Sequence, residues 1–192
     1  MTLEIVHYPH PALAWKSKSV KGISQQLRDH VRQMFELMYA ARGIGLAANQ
    51  VALPWRVFVV NLTCDPAQTE EEFVFINPEI VRRKGSEEDE EGCLSLPEVF
   101  GQVRRAENVV VEAYDLEGIP FQVTLTDMAA RVVQHENDHL DGVLFIERMS
   151  EGPRRELDPK ILDFEDRFRR EQQAGKIPSD DEIRKRLKSL EP

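Results

Sequence analysis

Two histidines and a glutamate in the second half of the chain have the spacing of a metal-hydrolase site. The stretch Arg131 to Gly142 (RVVQHENDHLDG) contains His135 and His139, with Glu136 directly after the first histidine. On an α-helix, residues four apart share a face, so both imidazoles can point at one divalent ion while the carboxylate reaches a water molecule beside it. This HExxH pattern supplies two ligands and a general base. A third ligand must come from elsewhere in the chain.

The same pattern can also arise by chance as the polar face of an ordinary helix. Here the flanks Val132, Val133 and Leu140 are apolar, which predicts a largely buried helix. Buried histidines and carboxylates are costly unless they are hydrogen-bonded or bind a metal, so we interpret the stretch as a metal site. Asp138, three residues after His135, either supports that site or lies on the helix surface, and the sequence leaves both open.

The two cysteines, Cys64 and Cys93, lie in different surroundings. Cys64 begins a polar loop and has no ligand-type neighbours, so it is interpreted as an ordinary thiol. Cys93 follows Gly92 at the end of the acidic run 87–91, where a free thiol would have a raised pKa and a metal-bound thiolate would be stabilised. Cys93 is therefore the better third ligand. His7 and His10 lie beside prolines in an irregular lead-in and are interpreted as surface or packing residues.

A stretch of small residues from Gly43 to Gln50 (GIGLAANQ) follows the first predicted helix. Its glycines allow the backbone to approach a ligand closely, although a structural turn would explain them equally well. The side-chain amide of Gln50 ends the stretch and is a candidate hydrogen-bond donor to an oxyanion.

Regular patterns predict one helix and several strands in the first half. Ser24 is placed to cap a helix that runs to about Ala41. β-branched and aromatic runs predict strands over 55–60 and 73–76, and Pro78 predicts that the next extended piece, through residue 81, is an edge strand.

Charged loops and a hairpin are predicted before the HExxH helix. The acidic residues 87–90 are interpreted as a solvated loop, and Arg104 or Arg105 could pair with Glu91. Alternating residues over 109–111 and 121–125 predict a β-hairpin. Thr126 or Asp127 can then cap the HExxH helix, which Gly142 ends.

The composition changes at Ser150, where charged residues begin to alternate in helical register. Asp158 and Pro159 suit the start of a helix, and Ser179 begins a capping box for a second. The chain is accordingly divided into a catalytic domain, residues 1–149, and a charged, helical C-terminal extension, residues 150–192.

Length and charge restrict the class of protein. A chain of 192 residues and 22.1 kDa fits one globular domain with a terminal extension. The formal net charge of -9 argues against general binding to nucleic acid or anionic membranes. Neither a signal peptide nor an apolar run of roughly 18 residues is present, so a cytoplasmic location without membrane association is expected.

Three stretches in this order and at these separations carry a resemblance to a known family. They are residues 43–50 (GIGLAANQ), 91–95 (EGCLS) and 134–139 (QHENDH). The chain resembles peptide deformylases from about residue 7 to residue 149. The resemblance implies an α+β fold in which antiparallel β-sheets surround a central helix bearing HExxH. The N-terminal helix and the C-terminal helical extension are predicted from the residue patterns above, and the extension is longer and more charged than the family's usual single C-terminal helix.

The resemblance also implies an activity and a metal site. The expected reaction is removal of the N-formyl group from the initiator methionine of nascent peptides, which releases formate and is a step of N-terminal processing in protein biosynthesis. Cys93, His135 and His139 are the implied ligands of one divalent metal, usually iron(II), with zinc or nickel able to occupy the site. Glu136 is the implied general base and acid for attack by metal-activated water.

Further residues of the implied site bind the reacting group and the peptide. The Gln50 side chain and the Leu94 amide are the implied oxyanion donors, while Gly45 and Gly92 are placed to pair with an extended peptide through their main chains. The formylated nascent peptide is the expected partner. The resemblance also implies that the basic residues of the extension dock on ribosomal RNA, and a charged surface helix with i to i+4 ion pairs is the alternative.

Two other functions remain open at this point. A zincin-type endopeptidase shares HExxH but takes its third ligand downstream of the helix, where the chain has Glu147 and Glu151 but no histidine. A non-catalytic metal-binding or docking domain would need neither Gln50 nor Glu136.

Overall fold

Antiparallel strands around one buried helix make up the centre of the fold. The structure is a computed structural model that describes residues 2–192. Within that range the helices are α1 (Gln25–Ala40), α2 (Asp127–Leu140), α3 (Glu151–Glu156), α4 (Asp158–Gln173) and α5 (Asp180–Ser189). The strands are β1 (Gly45–Ala47), β2 (Val57–Val60), β3 (Phe73–Lys84), β4 (Glu87–Cys93), β5 (Leu96–Arg105), β6 (Asn108–Tyr114) and β7 (Pro120–Thr126).

The strands form two antiparallel sheets. Five strands pair in the order β1-β2-β3-β6-β7, and β4 pairs with β5 in a separate hairpin. The HExxH helix α2 packs against β1, β2, β6 and β7, while α1 packs against β1 and β2. The predicted α+β class, with sheets around the central helix, is confirmed.

Helix α2 is buried along most of its length, as its apolar flanks predicted. Val132, Val133 and Leu140 join a hydrophobic cluster with Phe58 and Val111 of the sheet. The helix begins at Asp127, so Thr126 is its N-cap residue, but no side chain caps the helix there. Burial against the sheet, and not capping, therefore stabilises this helix.

Several local predictions are confirmed. Ser24 accepts a hydrogen bond from the Leu27 amide and caps α1, and Ser179 forms the expected capping box with Glu182 at the start of α5. The hairpin of β6 and β7 pairs in register from Asn108 opposite Thr126. These signals depend on residues that are close in sequence.

The prediction of an edge strand after Pro78 is wrong. Strand β3 continues to Lys84 and lies between β2 and β6 in the sheet. Its register with β6 shifts between Ile76 and Glu79. Because Pro78 lies at this irregularity, its missing N–H removes no regular ladder bond.

The prediction of a solvated loop at residues 87–90 is also wrong. These residues form most of β4, with Glu87 opposite Arg105 and Glu88 opposite Arg104 in β5. Charges of opposite sign across the pair reduce the repulsion that an acidic strand would otherwise have. The acidic run is therefore ordered by the basic end of its partner strand.

The C-terminal extension folds back on the body of the protein. Asp158 is the first residue of α4 and not its cap, because α3 leads directly into α4 through Leu157. Apolar residues of both later helices are buried, among them Ile161, Phe168 and Leu187. None of the described helices combines the length and apolar character needed to cross a membrane.

Candidate active site

The third predicted ligand lies beside the two histidines of α2. Ligand atoms of Cys93, His135 and His139 are all within 4.8 Å of one another. The His139 Nε2 atom is 3.3 Å from Cys93 Sγ and 3.2 Å from His135 Nε2. Ligands bound tetrahedrally at roughly 2.0–2.3 Å would be about 3.3–3.6 Å apart. The three donors therefore fit a small divalent ion with little movement.

Glu91 fixes the orientation of His135. The Nδ1 atom of His135 donates to Glu91 Oε2 at 3.0 Å, which leaves Nε2 directed at Cys93 and His139. A carboxylate that accepts from a ligating histidine sets both its tautomer and the angle of its ring. Glu91 thus serves the site by orienting a ligand and is not one of the three ligands itself.

Two arginines neutralise the buried Glu91 carboxylate. Arg105 binds it through two hydrogen bonds of 2.9 Å, and Arg131 Nη1 donates to its Oε1 atom at 2.8 Å. Burial alone would raise the pKa of Glu91, but its hydrogen bonds with Arg105 and His135 outweigh burial and hold the pKa far below its usual range. Glu91 therefore stays ionised inside the protein.

Asp138 extends this network away from the metal ligands. It binds Arg105, and it accepts from Arg148 at 2.7 and 3.0 Å. Among the described residues the hydrogen-bond donors to its carboxylate are these two arginines, and neither imidazole is one of them. Its carboxylate contacts Arg105, which in turn binds Glu91. Asp138 therefore affects His135 only through Arg105 and Glu91.

The Gln50 side chain lies next to Cys93. Its Oε1 atom accepts from the Ala47 amide at 2.8 Å, so its Nε2 atom is turned toward Cys93 Sγ at 3.4 Å and Ser95 Oγ at 3.3 Å. Gln50 itself is almost completely buried. Its amide N–H groups are thus directed at the Cys93 thiol and the neighbouring Ser95 hydroxyl.

Glu136 is buried beside strand β1. A Cβ atom at Gly45 would lie 2.5 Å from Glu136 Oε1, so only glycine leaves room for the carboxylate there. Oε2 of Glu136 is buried without a hydrogen-bond partner among the described residues. Burial, the largest cause, raises the pKa of Glu136 to about 7. A carboxyl group with that pKa can accept and release a proton near neutral pH.

The pKa values of the two imidazoles shift in opposite directions. Burial opposes the charge of His135, but hydrogen bonds with Cys93 and Glu91 outweigh it and raise the pKa to about 10. Burial, together with the charge of His135, lowers the pKa of His139 well below 6.5. Binding of a metal would require both Nε2 atoms to be free of protons.

Most of the predicted site residues line one cavity of about 680 Å³. It contains Gly45, Gln50, Gly92, Cys93, Leu94, His135 and Glu136, while His139 is fully buried behind them. Gly92 lies opposite the exposed Phe100 in the β4–β5 hairpin. Cys64 is outside the cavity, as expected.

Three functional residues, Glu91 and its partners Arg105 and Arg131, lay outside the predicted site. Arg131 precedes the HExxH motif by one helical turn, and its contact with Glu91 was not anticipated. For Arg105 the sequence contained one signal, a basic pair after the acidic run, which lies at the end of β5, and pairing with Glu91 was one of two open choices. Arg104 instead lies 3.8 Å from Glu88 on the surface.

Comparison with known sequences gives consistent matches. A family profile described as polypeptide deformylase matches residues 2–155. The peptide deformylase of Rhodopirellula baltica is 42% identical over 177 residues, which cover 92% of this chain and 88% of the relative. That of Chromobacterium violaceum is 42% identical over 159 residues, with 83% and 93% covered.

Solved structures of the same family have the same fold. Peptide deformylase from Plasmodium falciparum superposes with a TM-score of 0.84 at 36% identity, covering 86% of this chain and 97% of the other. Peptide deformylase 1B from Arabidopsis thaliana superposes with a TM-score of 0.84 at 36% identity, covering 92% and 96%. Both likenesses extend over nearly the whole of each solved chain.

An α+β fold in which a thiol and two imidazoles converge beside a buried carboxylate is typical of hydrolases that use one metal ion. The sequence and structure matches specify that class further. The chain belongs to the polypeptide deformylase family, a family of metal-dependent enzymes, and it is a hydrolase.

Proposed function

We propose that this enzyme removes the N-formyl group from N-formylmethionine of nascent polypeptides and releases formate. The convergence of Cys93, His135 and His139 beside Glu136 is the observation that carries the proposal. Family membership supports the substrate class. The cavity that these residues line also contains apolar side chains suited to methionine, namely Ile44, Met128 and Val132.

Cys93 Sγ and the Nε2 atoms of His135 and His139 would hold one divalent metal ion. A bound ion supplies Lewis-acid polarisation of the formyl carbonyl and activation of water. A thiolate with two imidazoles suits zinc as well as iron, so the ligand types alone do not choose between them. The proposal is iron(II) in the cell, with zinc or nickel in purified protein, and metal analysis of anaerobically purified enzyme tests it.

Glu136 would move the protons of the reaction. Its buried carboxylate accepts a proton from the attacking water and then delivers that proton to the leaving amine. Its position beside Gly45 keeps the carboxylate within the cavity and away from bulk solvent. A pKa of about 7 suits both transfers, because the group exchanges a proton readily near neutral pH.

Gln50 and Leu94 would stabilise the negative charge that develops on the formyl oxygen. Because the Ala47 amide holds Gln50 Oε1, the Nε2 atom is already oriented as a donor before substrate enters. One such donor is commonly worth about 3 kcal/mol of transition-state stabilisation. The Leu94 main-chain amide, next to Cys93, is the proposed second donor.

Gly45 and Gly92 would bind the peptide main chain on opposite walls of the cavity. Gly45 lies on β1, at one edge of the five-stranded sheet, and Gly92 lies near the end of β4. An extended peptide placed between them can add hydrogen bonds to either strand. This arrangement directs the formylated end toward Glu136.

Two substitutions test the proposal together. Cys93→Ala is expected to abolish metal retention, because one of three ligands is lost, whereas Glu136→Ala is expected to keep the metal and lose hydrolysis. Metal content and the release of formate from formyl-Met peptides are the measurements. A Cys93→Ala protein with full metal content and normal deformylation would refute the assignment.

A zincin-type endopeptidase is the competing function, and the structure offers it no downstream ligand. Among the described residues, the cluster of potential ligands consists of Cys93, His135 and His139. Glu147 instead accepts a hydrogen bond from the Leu144 amide. Cleavage of internal bonds in unformylated peptides would support the endopeptidase, and its absence is expected.

Association of the extension with the ribosome is a separate proposal, as is the cytoplasmic location that it requires. Arg167 and Arg170 of α4 are exposed, whereas Arg169 is paired with Asp180 at 2.8 Å. Replacing Arg167 and Arg170 by glutamate is expected to weaken co-sedimentation with ribosomes most at low salt. Equal binding of variant and wild-type protein across a salt series would refute this role.

A further inference from the structure

We propose that the C-terminal extension, residues 150–192, is a positioning element of the active site that acts through the N-terminal segment it covers. This segment, residues 3–17, is here named the N-terminal strap. The inference rests on the proposed deformylase function for its kinetic part. Its structural part stands on contacts alone.

The N-terminal strap is bonded to all three segments that carry the active site. The Val6 amide donates to the Gln50 carbonyl at 2.8 Å, and the Tyr8 amide donates to the Ser95 carbonyl at 2.9 Å. At its other end the Ser17 amide donates to the carbonyl of Leu140, the residue after His139, at 2.9 Å. The strap thus connects the Gln50 turn, the Cys93 turn and the end of α2.

The turn that carries Gln50 is held by the strap on a second side. Asn49 Nδ2 donates to the Ala12 and Trp15 carbonyls at 3.3 and 2.6 Å, and its Oδ1 atom accepts from Ser17 Oγ at 2.7 Å. Asn49 is almost completely buried. A displacement of the strap would therefore move the turn next to the Gln50 amide.

Helix α4 covers one part of the strap. The Tyr8 hydroxyl donates to Glu165 Oε1 at 2.7 Å, and Ile161 and Phe164 join the cluster that contains Val6, Tyr8 and the buried residues of β5. Lys160 Nζ donates to the Glu98 carbonyl at 3.1 Å, just beyond the Cys93 turn. This helix therefore contacts both the strap and the strand after Cys93.

Helix α5 covers the rest of the strap. Ile183 and Leu187 of α5 form a cluster with Ala12 and with Phe168 of α4, and Val6 and Trp15 pack against it. Trp55 Nε1 donates to the Leu190 carbonyl at 2.7 Å, which fixes the end of α5 on the body. The extension and the body thus enclose the strap between them.

The strap has little regular structure of its own, because it contains only one short helical turn, Pro11–Ala14, and no strand of either sheet. Its shape depends on the surfaces that enclose it. A productive site tolerates misplacement of roughly 0.5 Å, and the Gln50 amide lies 3.4 Å from Cys93. Loosening the extension should therefore lower the rate of the chemical step more than it weakens substrate binding.

The test compares two tyrosines that make the same bond. Tyr8→Phe removes the hydrogen bond to Glu165 and keeps the ring, while Tyr39→Phe removes an equivalent hydrogen bond of 2.8 Å to Glu72, away from the strap. Burial, and then the hydrogen bond to the carboxylate partner, raise the pKa of both hydroxyls to about 12. The Tyr39 hydroxyl also accepts from Asn61 Nδ2 at 2.9 Å, so Tyr39→Phe loses at least as many hydrogen bonds as Tyr8→Phe and is a stringent control.

For Tyr8→Phe, kcat is expected to fall roughly fivefold to twentyfold with KM changed less than about twofold. Hydrogen exchange of the Val6 and Tyr8-position amides should be about tenfold faster. Tyr39→Phe should leave kcat, KM and the exchange rates of both amides unchanged. Glu165→Gln, which can still accept from Tyr8, should restore most of the kcat that Glu165→Ala loses.

The outcomes distinguish failure of the positioning role from failure of the proposed deformylase function. If wild-type enzyme deformylates peptides and Tyr8→Phe has wild-type kcat and exchange rates, the positioning role is overturned while the proposed function stands. If wild-type enzyme does not deformylate, the proposed function fails. Amide exchange of the strap then decides alone whether the extension holds it.

Discussion

Among single residues, Glu91 contacts the largest number of charged groups around the site. It accepts from His135, Arg105 and Arg131, and it is almost completely buried. A buried carboxylate is tolerated only when its charge and its lone pairs are both satisfied. Glu91 meets both conditions, and in return it holds the ring of a metal ligand in place.

Glu91→Gln tests this role at the residue scale. The amide cannot balance both arginines, so the unfolding free energy should fall by about 3 kcal/mol. Affinity for the metal should fall roughly 10- to 100-fold, because His135 loses the acceptor that orients it. Urea unfolding and chelator competition measure the two effects.

Glu88→Gln provides the control on the same strand. Its carboxylate is exposed and lies 3.8 Å from Arg104, so Glu88→Gln should change neither the unfolding free energy nor the affinity for the metal by much. Equal effects of the two substitutions would show that Glu91 has no special part in the site.

At the scale of elements, the contact between β1 and α2 determines where Glu136 lies. Strand β1 is short and fully buried, and it has glycine at the position nearest the Glu136 carboxylate. A Cβ atom at position 45 would lie 2.5 Å from Oε1 of Glu136, 2.9 Å from its Cδ atom and 3.0 Å from its Cγ atom. The flexible glutamate would be displaced before the strand or the helix moved.

Gly45→Ala should therefore reduce kcat/KM by roughly a hundredfold while the protein stays folded and keeps its metal. Gly22→Ala is the matched control, because a Cβ atom at Gly22 meets nothing within 4 Å, and it should leave activity unchanged. Assays with formyl-Met peptides and metal analysis distinguish the two. Near-normal activity of Gly45→Ala would mean that Glu136 can work from another position.

At the scale of the whole molecule, the N-terminal strap joins the active site to the extension. His10 lies at this junction, where its ring is 6.1 Å from that of Phe168 and its Nδ1 atom accepts from the Ala12 amide at 3.2 Å. Burial, the largest cause, lowers the pKa of His10 from 6.5 to about 4. The folded protein therefore favours the neutral form of this imidazole.

A pH dependence of stability follows from that shift. Below pH 6.5 the unfolded chain binds a proton at His10 that the folded protein refuses until about pH 4. Over this range His10 should remove about 1.4 kcal/mol of stability per pH unit as the pH falls, and it should have no effect above it.

His10→Asn tests the dependence, since asparagine can accept from the Ala12 amide but does not titrate. Urea unfolding at several pH values should give a shallower loss of stability for the variant than for wild type between pH 6.5 and 4. Parallel curves for the two proteins would contradict the role assigned to His10.

The sequence by itself determined the features that depend on near neighbours in the chain. The HExxH spacing, the capping residues Ser24 and Ser179, and the β6–β7 hairpin each rest on residues a few positions apart, which one turn of helix or one tight turn brings together. The small-residue stretch and Cys93 were recognised through their order and separation. The family and the α+β class followed from these local signals.

Only the tertiary structure decided which charges are buried and what encloses them. The acidic run became β4 because β5 lies beside it, and Pro78 fits a central strand because a register shift absorbs its missing N–H. The sequence distinguished Glu91 from residues 87–90, but it did not show that Glu91 orients a ligand, since its arginine partners lie 14 and 40 residues away. The return of α5 onto the strap is likewise a long-range contact, and such contacts depend on surfaces that exist only after the chain has folded.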